Sequence, residues 1–198
     1  MTTAQLYDFA YSGSCYRARL MLALSAVPHE IIPIDLDANE QRSEKFLKIN
    51  PLGQVPVLVD GNTILRDSHA ILSYLASTYS AERAGQGNPS IAAAIVQWLC
   101  YSANEIANGP AMARMIKLGI TTGDLDAAQA RTKAVLEYVN AELQGRDWLV
   151  QPKWTIADIA CYPYIESAGD GGVDLKKFPA IRAWIERIKR LPGYVKKN

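Results

Sequence analysis

The sequence predicts an α/β domain followed by an all-helical domain, and three observations lead to that prediction. Strand-like segments occur only early in the chain, at residues 5–10, 30–34, 57–59 and 63–65. From residue 90 onward the apolar residues recur at helical spacing alone. Between the two parts lies a stretch with two glycines, a proline and no large apolar side chain, at residues 80–89.

The first domain has the predicted element order β-α-β-α-β-β-α. A helix at about residues 15–25 separates the first two strands, and a strand–helix–strand unit of this length makes those strands parallel. Residues 40–47 are polar and predict a short, partly exposed helix. Asp-Gly-Asn at 60–62 is a hairpin signal, and a helix follows at 67–79. We expect one small mixed sheet with helices packed on it.

The second domain is predicted to contain helices only. Apolar spacing indicates helices near residues 91–106 and 125–143. Thr155 and Asp158 form a capping box at the start of an apolar helix, and Pro179 starts the last one. The predicted domains and linker are residues 1–79, 80–89 and 90–198.

Composition excludes several classes of partner. The chain has a formal net charge of +1, with 21% charged residues, so charge gives no reason to expect nucleic acid or an anionic membrane as partner. The longest apolar runs are shorter than the ~20 residues of a membrane span. The cysteines, three in number, are too scattered for a disulfide framework, which indicates a cytoplasmic protein. His29 and His69 are far apart, so no metal site is expected.

The segment from Asn50 to Leu72 carries most of the functional information, and Val55-Pro56 is its first motif. Proline has no N–H and fixes φ, so the preceding residue is left outside the sheet ladder. In the cis form, the backbone of Val55 can pair with an extended peptide. In the commoner trans form, the proline simply ends a loop.

Asp67-Ser68 is the second motif, at a predicted helix start. The N–H groups and positive dipole end of a helix attract a carboxylate, and Asp67 can pair with an ammonium group. Together they would fit the head of an α-amino acid. Ordinary N-capping explains the same two residues.

Ser12 and Cys15 lie at the start of the first predicted helix. A thiolate at such a position is stabilised by the helix dipole, and the Ser12 hydroxyl can donate to it. Cys15 is either reactive itself or an inward-packing helix residue. The chain has no Cys-x-x-Cys pair, so it lacks the second sulfur of a dithiol cycle.

Aromatic and methionine side chains are candidates to line an apolar pocket for an acceptor substrate. Aromatic rings and flexible thioethers suit adaptable apolar sites, although ordinary helix packing explains the same residues. Tyr7 is expected in the core. The candidate pocket residues are Tyr11, Tyr101, Met112 and Met115.

These motifs, in this order, resemble the cytosolic glutathione transferases over the whole chain. The matching features are the first-half element order, Asn50-Pro51 with Gln54-Val55-Pro56, Asp67-Ser68, and the Thr155–Asp158 capping box. The chain is most similar to serine-type members of the bacterial theta and phi kind. The resemblance implies a thioredoxin-like first domain and a cis Val55-Pro56 bond.

The resemblance also implies where glutathione binds. The backbone of Val55 would pair with its cysteinyl part, and Asp67 and Ser68 would hold its γ-glutamyl end. Glu or Gln is more frequent than Asp before that serine.

Three further residues match positions that bind the glycyl end, namely Gln41, Arg42 and Gln54. Gln41 departs from the family, where histidine is frequent. Ser12 matches the serine whose hydroxyl hydrogen-bonds the glutathione sulfur.

The implied function is conjugation of the glutathione thiolate to small, largely apolar electrophiles, a reaction of detoxification, with glutathione as co-substrate and no metal. The family also implies a homodimer. Two alternatives remain: a glutathione-dependent disulfide reductase or isomerase, with Cys15 as the possible redox residue, and a non-catalytic glutathione-binding protein.

Overall fold

The computed structural model describes residues 3–150 and 152–197. The described residues divide into two compact units. One contains residues 3–81 together with 192–197, and the other contains residues 82–150 and 152–191. The first combines a sheet with helices, while the described part of the second contains helices and no strand. The predicted fold class is confirmed.

The first unit is built on one four-stranded mixed sheet. Its strands are β1 (Ala4–Asp8), β2 (His29–Pro33), β3 (Val57–Asp60) and β4 (Thr63–Arg66). Their order is β2-β1-β3-β4. β1 and β2 are parallel, as the strand–helix–strand pattern predicted, and the other two pairs are antiparallel. The observed strand ends lie within two residues of the predicted ones.

Three helices accompany this sheet: α1 (Gly13–Leu24), α2 (Glu44–Leu47) and α3 (Ser68–Tyr79). The single short helix predicted at 40–47 is wrong in detail. It is a 3₁₀ turn at Glu40–Arg42 followed by the separate α2. Ser43 interrupts the two because its extended backbone lets its hydroxyl cap α2, accepting from the Phe46 N–H at 3.2 Å.

A small apolar cluster packs beside β1. It consists of Ile34, Phe46 and Val57, and the half-buried Tyr7 packs against it. The rings of Tyr7 and Phe46 meet edge to face, with centroids 5.9 Å apart. Tyr7 therefore contributes to packing, as the sequence predicted.

The chain returns to the first unit after Leu191, whereas the sequence assigned all residues after 90 to the helical domain. The Tyr16 hydroxyl donates to the carbonyl of Val195 at 2.8 Å. Gly193 lies so close to α1 that a Cβ there would be 2.8 Å from the Ala23 carbonyl oxygen. These contacts join residues far apart in the chain, so no local pattern could have predicted them.

The second unit begins within the predicted linker, which contains a 3₁₀ turn at Ala81–Ala84. Asn88 then caps the first long helix through two backbone N–H groups. The α-helices are α4 (Pro89–Tyr101), α5 (Met112–Lys117), α6 (Leu125–Glu142), α7 (Ile156–Glu166) and α8 (Pro179–Lys189), with 3₁₀ turns at Ala168–Gly171 and Leu175–Lys177. No helix among the described residues has the length and apolar character needed to cross a membrane.

α4 and α5 are joined by a π-helical segment, Ser102–Ala111, which the sequence did not predict. Pro110 lies inside it and has no N–H to donate, so regular α-helical bonding cannot continue there. π-helical segments are rare and often accompany functional sites.

The predicted capping box at the start of α7 is present, and its acidic residue also bonds two other parts of the helical unit. Asp158 is fully buried and accepts three hydrogen bonds, from the N–H groups of Leu149 (3.0 Å) and Thr155 (2.9 Å) and from the indole N–H of Trp184 (2.8 Å). Burial raises the pKa of Asp158 to about 6, although the three hydrogen bonds act in the opposite direction.

Replacing this carboxylate, Asp158→Ala, should destabilise the protein strongly because it leaves three donors without an acceptor. We expect the free energy of unfolding in urea to fall by about 3 kcal/mol or more. Asp124→Ala is the matched control, since Asp124 caps α6 through one N–H and is exposed. It should cost about 1 kcal/mol. Equal losses for the two variants would contradict the central role of Asp158.

Asp158 should also make the stability of the protein depend on pH. The folded-state pKa of Asp158 is above its ordinary value of 3.8, so folding is accompanied by proton uptake between about pH 4 and pH 6. The stability of the wild type relative to Asp158→Asn should therefore fall as pH rises through this window.

Candidate functional site

Strand register brings three loops to one end of the sheet. Tyr7 of β1 pairs with Val57 of β3, and Val57 pairs with Arg66 of β4. β1 ends one residue after Tyr7, β3 begins at Val57 and β4 ends at Arg66. The turn before α1, the segment before β3 and the turn before α3 therefore leave the sheet at the same end, although they are distant in sequence.

Ser12 is the N-cap of α1 and stands at this end of the sheet. Its Oγ accepts a hydrogen bond from the Cys15 N–H at 3.2 Å. A hydroxyl that accepts in this way keeps its own O–H as a donor. The first turn of a helix also presents N–H groups that have no intrahelical acceptor. Together these donors suit an anionic sulfur or oxygen.

A partly buried ion pair supports the turn that carries Ser12. The Arg19 guanidinium contacts Asp8 Oδ2 at 2.6 Å and donates to the Ala10 carbonyl at 2.9 Å. Asp8 is buried at the end of β1, and its Oδ1 has no hydrogen-bond partner within the described residues. Because one cation bonds both the strand end and the turn, the position of the turn is fixed relative to the sheet.

Cys15 is fully buried, which agrees with the inward-packing interpretation of this residue. Burial raises the pKa of the Cys15 thiol to about 12, although the Phe9 N–H, 3.4 Å from Sγ, acts in the opposite direction. A thiol with this pKa is protonated at neutral pH and is a poor nucleophile. The structure therefore disfavours the alternative in which Cys15 reacts.

The Val55-Pro56 peptide bond is cis. No hydrogen bond to the backbone of Val55 is formed within the described part of the chain. The neighbouring Gln54 is exposed, and its carbonyl accepts from the side chain of buried Asn50 at 2.8 Å. The N–H and C=O of Val55 thus have no partner among the described residues, while the Asn50 side chain holds the neighbouring backbone at Gln54.

Asp67 is the N-cap of α3 and adopts a left-handed backbone conformation with φ 72°. Its Oδ1 accepts from the N–H groups of His69 (2.8 Å) and Ala70 (3.3 Å). Hydrogen bonding by His69 lowers the pKa of Asp67 to about 2, against a smaller effect of burial. The carboxylate is consequently ionised at neutral pH, and its side chain is 66% exposed. It can therefore meet a ligand's ammonium group.

Ser68, the first residue of α3, is only 4% exposed. Its Oγ accepts a hydrogen bond from Nη1 of Arg17, a buried arginine of α1, at 3.2 Å. This bond links the starts of two helices that both lie at the same end of the sheet.

The residues assigned to the glycyl end lie around the 3₁₀ turn Glu40–Arg42. Arg42 donates to the Leu52 carbonyl at 3.3 Å, and a Cβ at Gly53 would lie 2.8 Å from the Arg42 guanidinium. Gly53 has φ +60°, so its lack of a side chain permits both the turn and this close approach. Gln41 Oε1 is buried and accepts no hydrogen bond within the described residues. It is a candidate acceptor for a ligand N–H.

The four candidate acceptor-pocket residues are divided between the two units. Tyr11, in the first unit, is 64% exposed and its ring meets that of Phe9. Tyr101 ends α4, and its ring packs on those of Trp98 and Tyr138. Tyr101 also lines a cavity of about 530 Å³ in the helical unit. Met112 and Met115 lie on α5. The pocket itself remains a prediction.

The sequence interpretation missed four polar residues of this region: Asp8, Arg17, Arg19 and His69. Three of them are charged residues inside strand or helix patterns, where an outward position is the default. The signal that could have drawn attention to the arginines is their place two residues apart in an otherwise apolar helix. No group of three or more His, Cys, Asp or Glu side chains that could hold a metal occurs among the described residues.

Domain comparison gives two matches along the chain. Residues 6–83 match the family described as Glutathione S-transferase, N-terminal domain. Residues 93–192 match Glutathione S-transferase, C-terminal domain. The matches cover the two parts of the chain in the order found in the structure.

Similar proteins include enzymes of plants and bacteria. The chain is 30% identical to Glutathione S-transferase 3 of Zea mays, over 99% of this chain and 93% of the relative. It is 26% identical to Disulfide-bond oxidoreductase YfcG of Escherichia coli, over 93% of this chain and 90% of the relative.

Solved structures with the same fold include two that span nearly the whole chain. A glutathione S-transferase from Pseudomonas fluorescens matches with TM-score 0.91 and 30% identity, over 99% of each chain. A glutathione transferase homologue from Drosophila mojavensis, solved with bound glutathione, matches with TM-score 0.87 and 28% identity, over 97% of this chain and 90% of the other.

Proposed function

We propose, because the chain belongs to the glutathione S-transferase family, that it conjugates the thiolate of glutathione to small, largely apolar electrophiles. The observation that carries this proposal is the common end of the sheet, where the capped starts of α1 and α3 and the Val55-Pro56 segment occur together. A homologous structure contains glutathione, which supports the identity of the ligand.

In the proposed complex, each part of glutathione meets a different segment. The cysteinyl part pairs with the backbone of Val55, which has no partner of its own within the described chain. The ammonium group of the γ-glutamyl end meets the ionised Asp67, and its carboxylate meets Ser68 at the start of α3.

The glycyl end meets the turn that contains Gln41 and Arg42, with Gln54 on the neighbouring segment. The guanidinium of Arg42 attracts the terminal carboxylate, and the unsatisfied Oε1 of Gln41 accepts from an amide N–H. Burial of that oxygen without a partner costs free energy in the ligand-free protein, and a bound peptide removes the cost.

The chemistry that we propose is activation of the substrate thiol by Ser12. An unperturbed thiol has a pKa of ~8.5, and each unit of lowering corresponds to ~1.36 kcal/mol of preferential thiolate binding. One hydroxyl donor and the first-turn amides of α1 can supply about one or two units. The sulfur then attacks the electrophilic carbon, and the leaving group departs with the bonding electrons. Tyr11, Tyr101, Met112 and Met115 are the residues that we propose for the acceptor side.

Removing the hydroxyl, Ser12→Ala, should lower kcat for conjugation to chlorodinitrobenzene by about 10- to 100-fold, the value of one hydrogen bond to a charged group. The KM for glutathione should change little. The apparent pKa of the pH–rate profile should move upward, because the thiolate loses a donor.

Ser12→Thr is the matched control, since it retains both the hydroxyl and the helix cap, and most of the activity should remain. Turnover of Ser12→Ala equal to that of the wild type would exclude the proposed role. Failure of the wild type to bind immobilised glutathione would instead support a non-catalytic protein of this fold without a glutathione site.

A second candidate function is disulfide reduction, and one relative carries the name of a disulfide-bond oxidoreductase. In its simplest form this alternative makes Cys15 the attacking thiolate. The burial of Cys15 and its pKa of about 12 oppose that form, since the thiol is neither accessible nor ionised at neutral pH.

Cys15→Ala should therefore leave both conjugation and any reduction of a glutathione-bound disulfide essentially unchanged. Alkylation followed by mass spectrometry gives a parallel measurement: exposed Cys100 should react in the native protein, and Cys15 only after unfolding. Selective loss of disulfide reduction in Cys15→Ala would reverse this conclusion and favour the reductase.

We further propose a homodimer with twofold symmetry, the commonest oligomer. Exposed apolar side chains on both units support an interface between chains, among them Leu52 and Ile64 on the first and Val96 and Tyr138 on the second. Light scattering after gel filtration should give about twice the chain mass of 21.8 kDa. A mass of one chain at every concentration tested would contradict the proposal.

We also propose a cytoplasmic location, which the free cysteines support. None of the cysteines Cys15, Cys100 and Cys161 forms a disulfide. Proteins with scattered, unpaired thiols are typical of reducing compartments.

A further inference from the structure

Arg17 is a charged residue in the interior of the first unit, and the proposed function assigns it no role. It lies in α1 and is 3% exposed. Burial of a guanidinium costs several kcal/mol unless its surroundings compensate the charge and satisfy its donors. One bond of this guanidinium is made to Ser68, at the start of α3.

The Arg17–Ser68 hydrogen bond has an unambiguous direction. A guanidinium only donates, so at 3.2 Å the Ser68 oxygen must be the acceptor. The hydroxyl proton of Ser68 is then directed elsewhere and remains a donor. Because both side chains are buried, bulk water does not compete for this bond, and accepting from a cation strengthens the donor character of the O–H.

The start of α3 has positive charge on one side, behind Ser68, and negative charge on the other, at Asp67. Ser68 is backed by the cationic Arg17 and by the positive end of the helix dipole. Asp67, the residue before it, is ionised and 66% exposed, and its carboxylate contacts His69. A ligand with a carboxylate and an ammonium on one carbon would place each charge against its opposite.

We propose that Arg17 is a positioning residue for thiol-substrate recognition. It fixes Ser68 as a donor toward the α-carboxylate of the γ-glutamyl group and supplies buried positive charge behind that subsite. This inference rests on the proposed function. It predicts that Arg17 affects binding of the γ-glutamyl end of the substrate and not activation of its thiol.

The test compares two thiol substrates, glutathione and the dipeptide Cys-Gly, which lacks the γ-glutamyl group. In Arg17→Met, kcat/KM for glutathione with chlorodinitrobenzene should fall by about 10-fold or more, the value of a hydrogen bond to a charged group. The kcat/KM for Cys-Gly should stay within about twofold of the wild type. Arg17→Lys, which keeps the charge and a donor, should recover part of the loss.

A double-mutant cycle tests whether Arg17 acts through Ser68. Ser68→Ala should reproduce the selective loss for glutathione, and adding Arg17→Met to it should produce much less than a further 10-fold decrease. Arg83→Met is the matched control, since Arg83 is also largely covered, stacked 4.1 Å from the Trp154 ring centroid in the helical unit, and it should preserve the glutathione to Cys-Gly ratio.

The outcomes separate the inference from the proposed function. Equal loss for both thiols in Arg17→Met and Arg17→Lys would show a purely structural role and overturn the inference. Unchanged kinetics in both variants would overturn it as well. A wild type that conjugates neither thiol would contradict the proposed function itself. Urea unfolding of each variant identifies any general loss of folding, and Arg17→Lys supplies the test if Arg17→Met does not fold: a loss for glutathione that exceeds the loss for Cys-Gly supports the inference, and an equal loss or none overturns it.

Discussion

The strand register through Tyr7, Val57 and Arg66 is the constraint on which the candidate site depends. Because β1 and β4 both run antiparallel to β3, the ends of β1 and β4 lie beside the start of β3. Each connection at that end presents hydrogen-bonding groups. They are the capped helix start at Ser12, the backbone of Val55, which has no partner among the described residues, and the capped helix start at Asp67. A shift of one residue in this register would turn the side chains of a strand to the opposite face and separate the three loops.

Two helix starts provide the electrostatics of the site, and each is supported by an arginine of α1, of which Arg17 is buried and Arg19 largely buried. Arg19 pairs with Asp8 and bonds the turn before Ser12, whereas Arg17 bonds Ser68. Such buried charges cost free energy in themselves, since desolvation offsets much of the Coulomb attraction. Their benefit is the fixed direction of donors that would otherwise rotate. Preorganised donors of this kind stabilise a developing or bound negative charge without reorganisation.

The helical unit has a separate centre, the buried carboxylate of Asp158. It bonds the start of its own helix, the backbone of Leu149 and the indole of Trp184 on α8. A capping interaction that is ordinarily local therefore joins three segments of the chain. Burial raises the pKa of this carboxyl and the hydrogen bonds lower it, so the same group that organises the unit also makes its stability depend on pH.

The sequence by itself determined the features that depend on neighbouring residues. Helical spacing, the hairpin at 60–62, the capping box at Thr155 and the helix start at Asp67 are local, and the structure contains all of them. Only the tertiary structure decided that Cys15 is buried, that Arg17 reaches Ser68, and that residues after Leu191 return to the first unit. Those outcomes depend on contacts between residues that are distant in sequence. The free energy of burying a thiol or a guanidinium is determined by the groups that surround it in the folded chain, and no local sequence pattern specifies them.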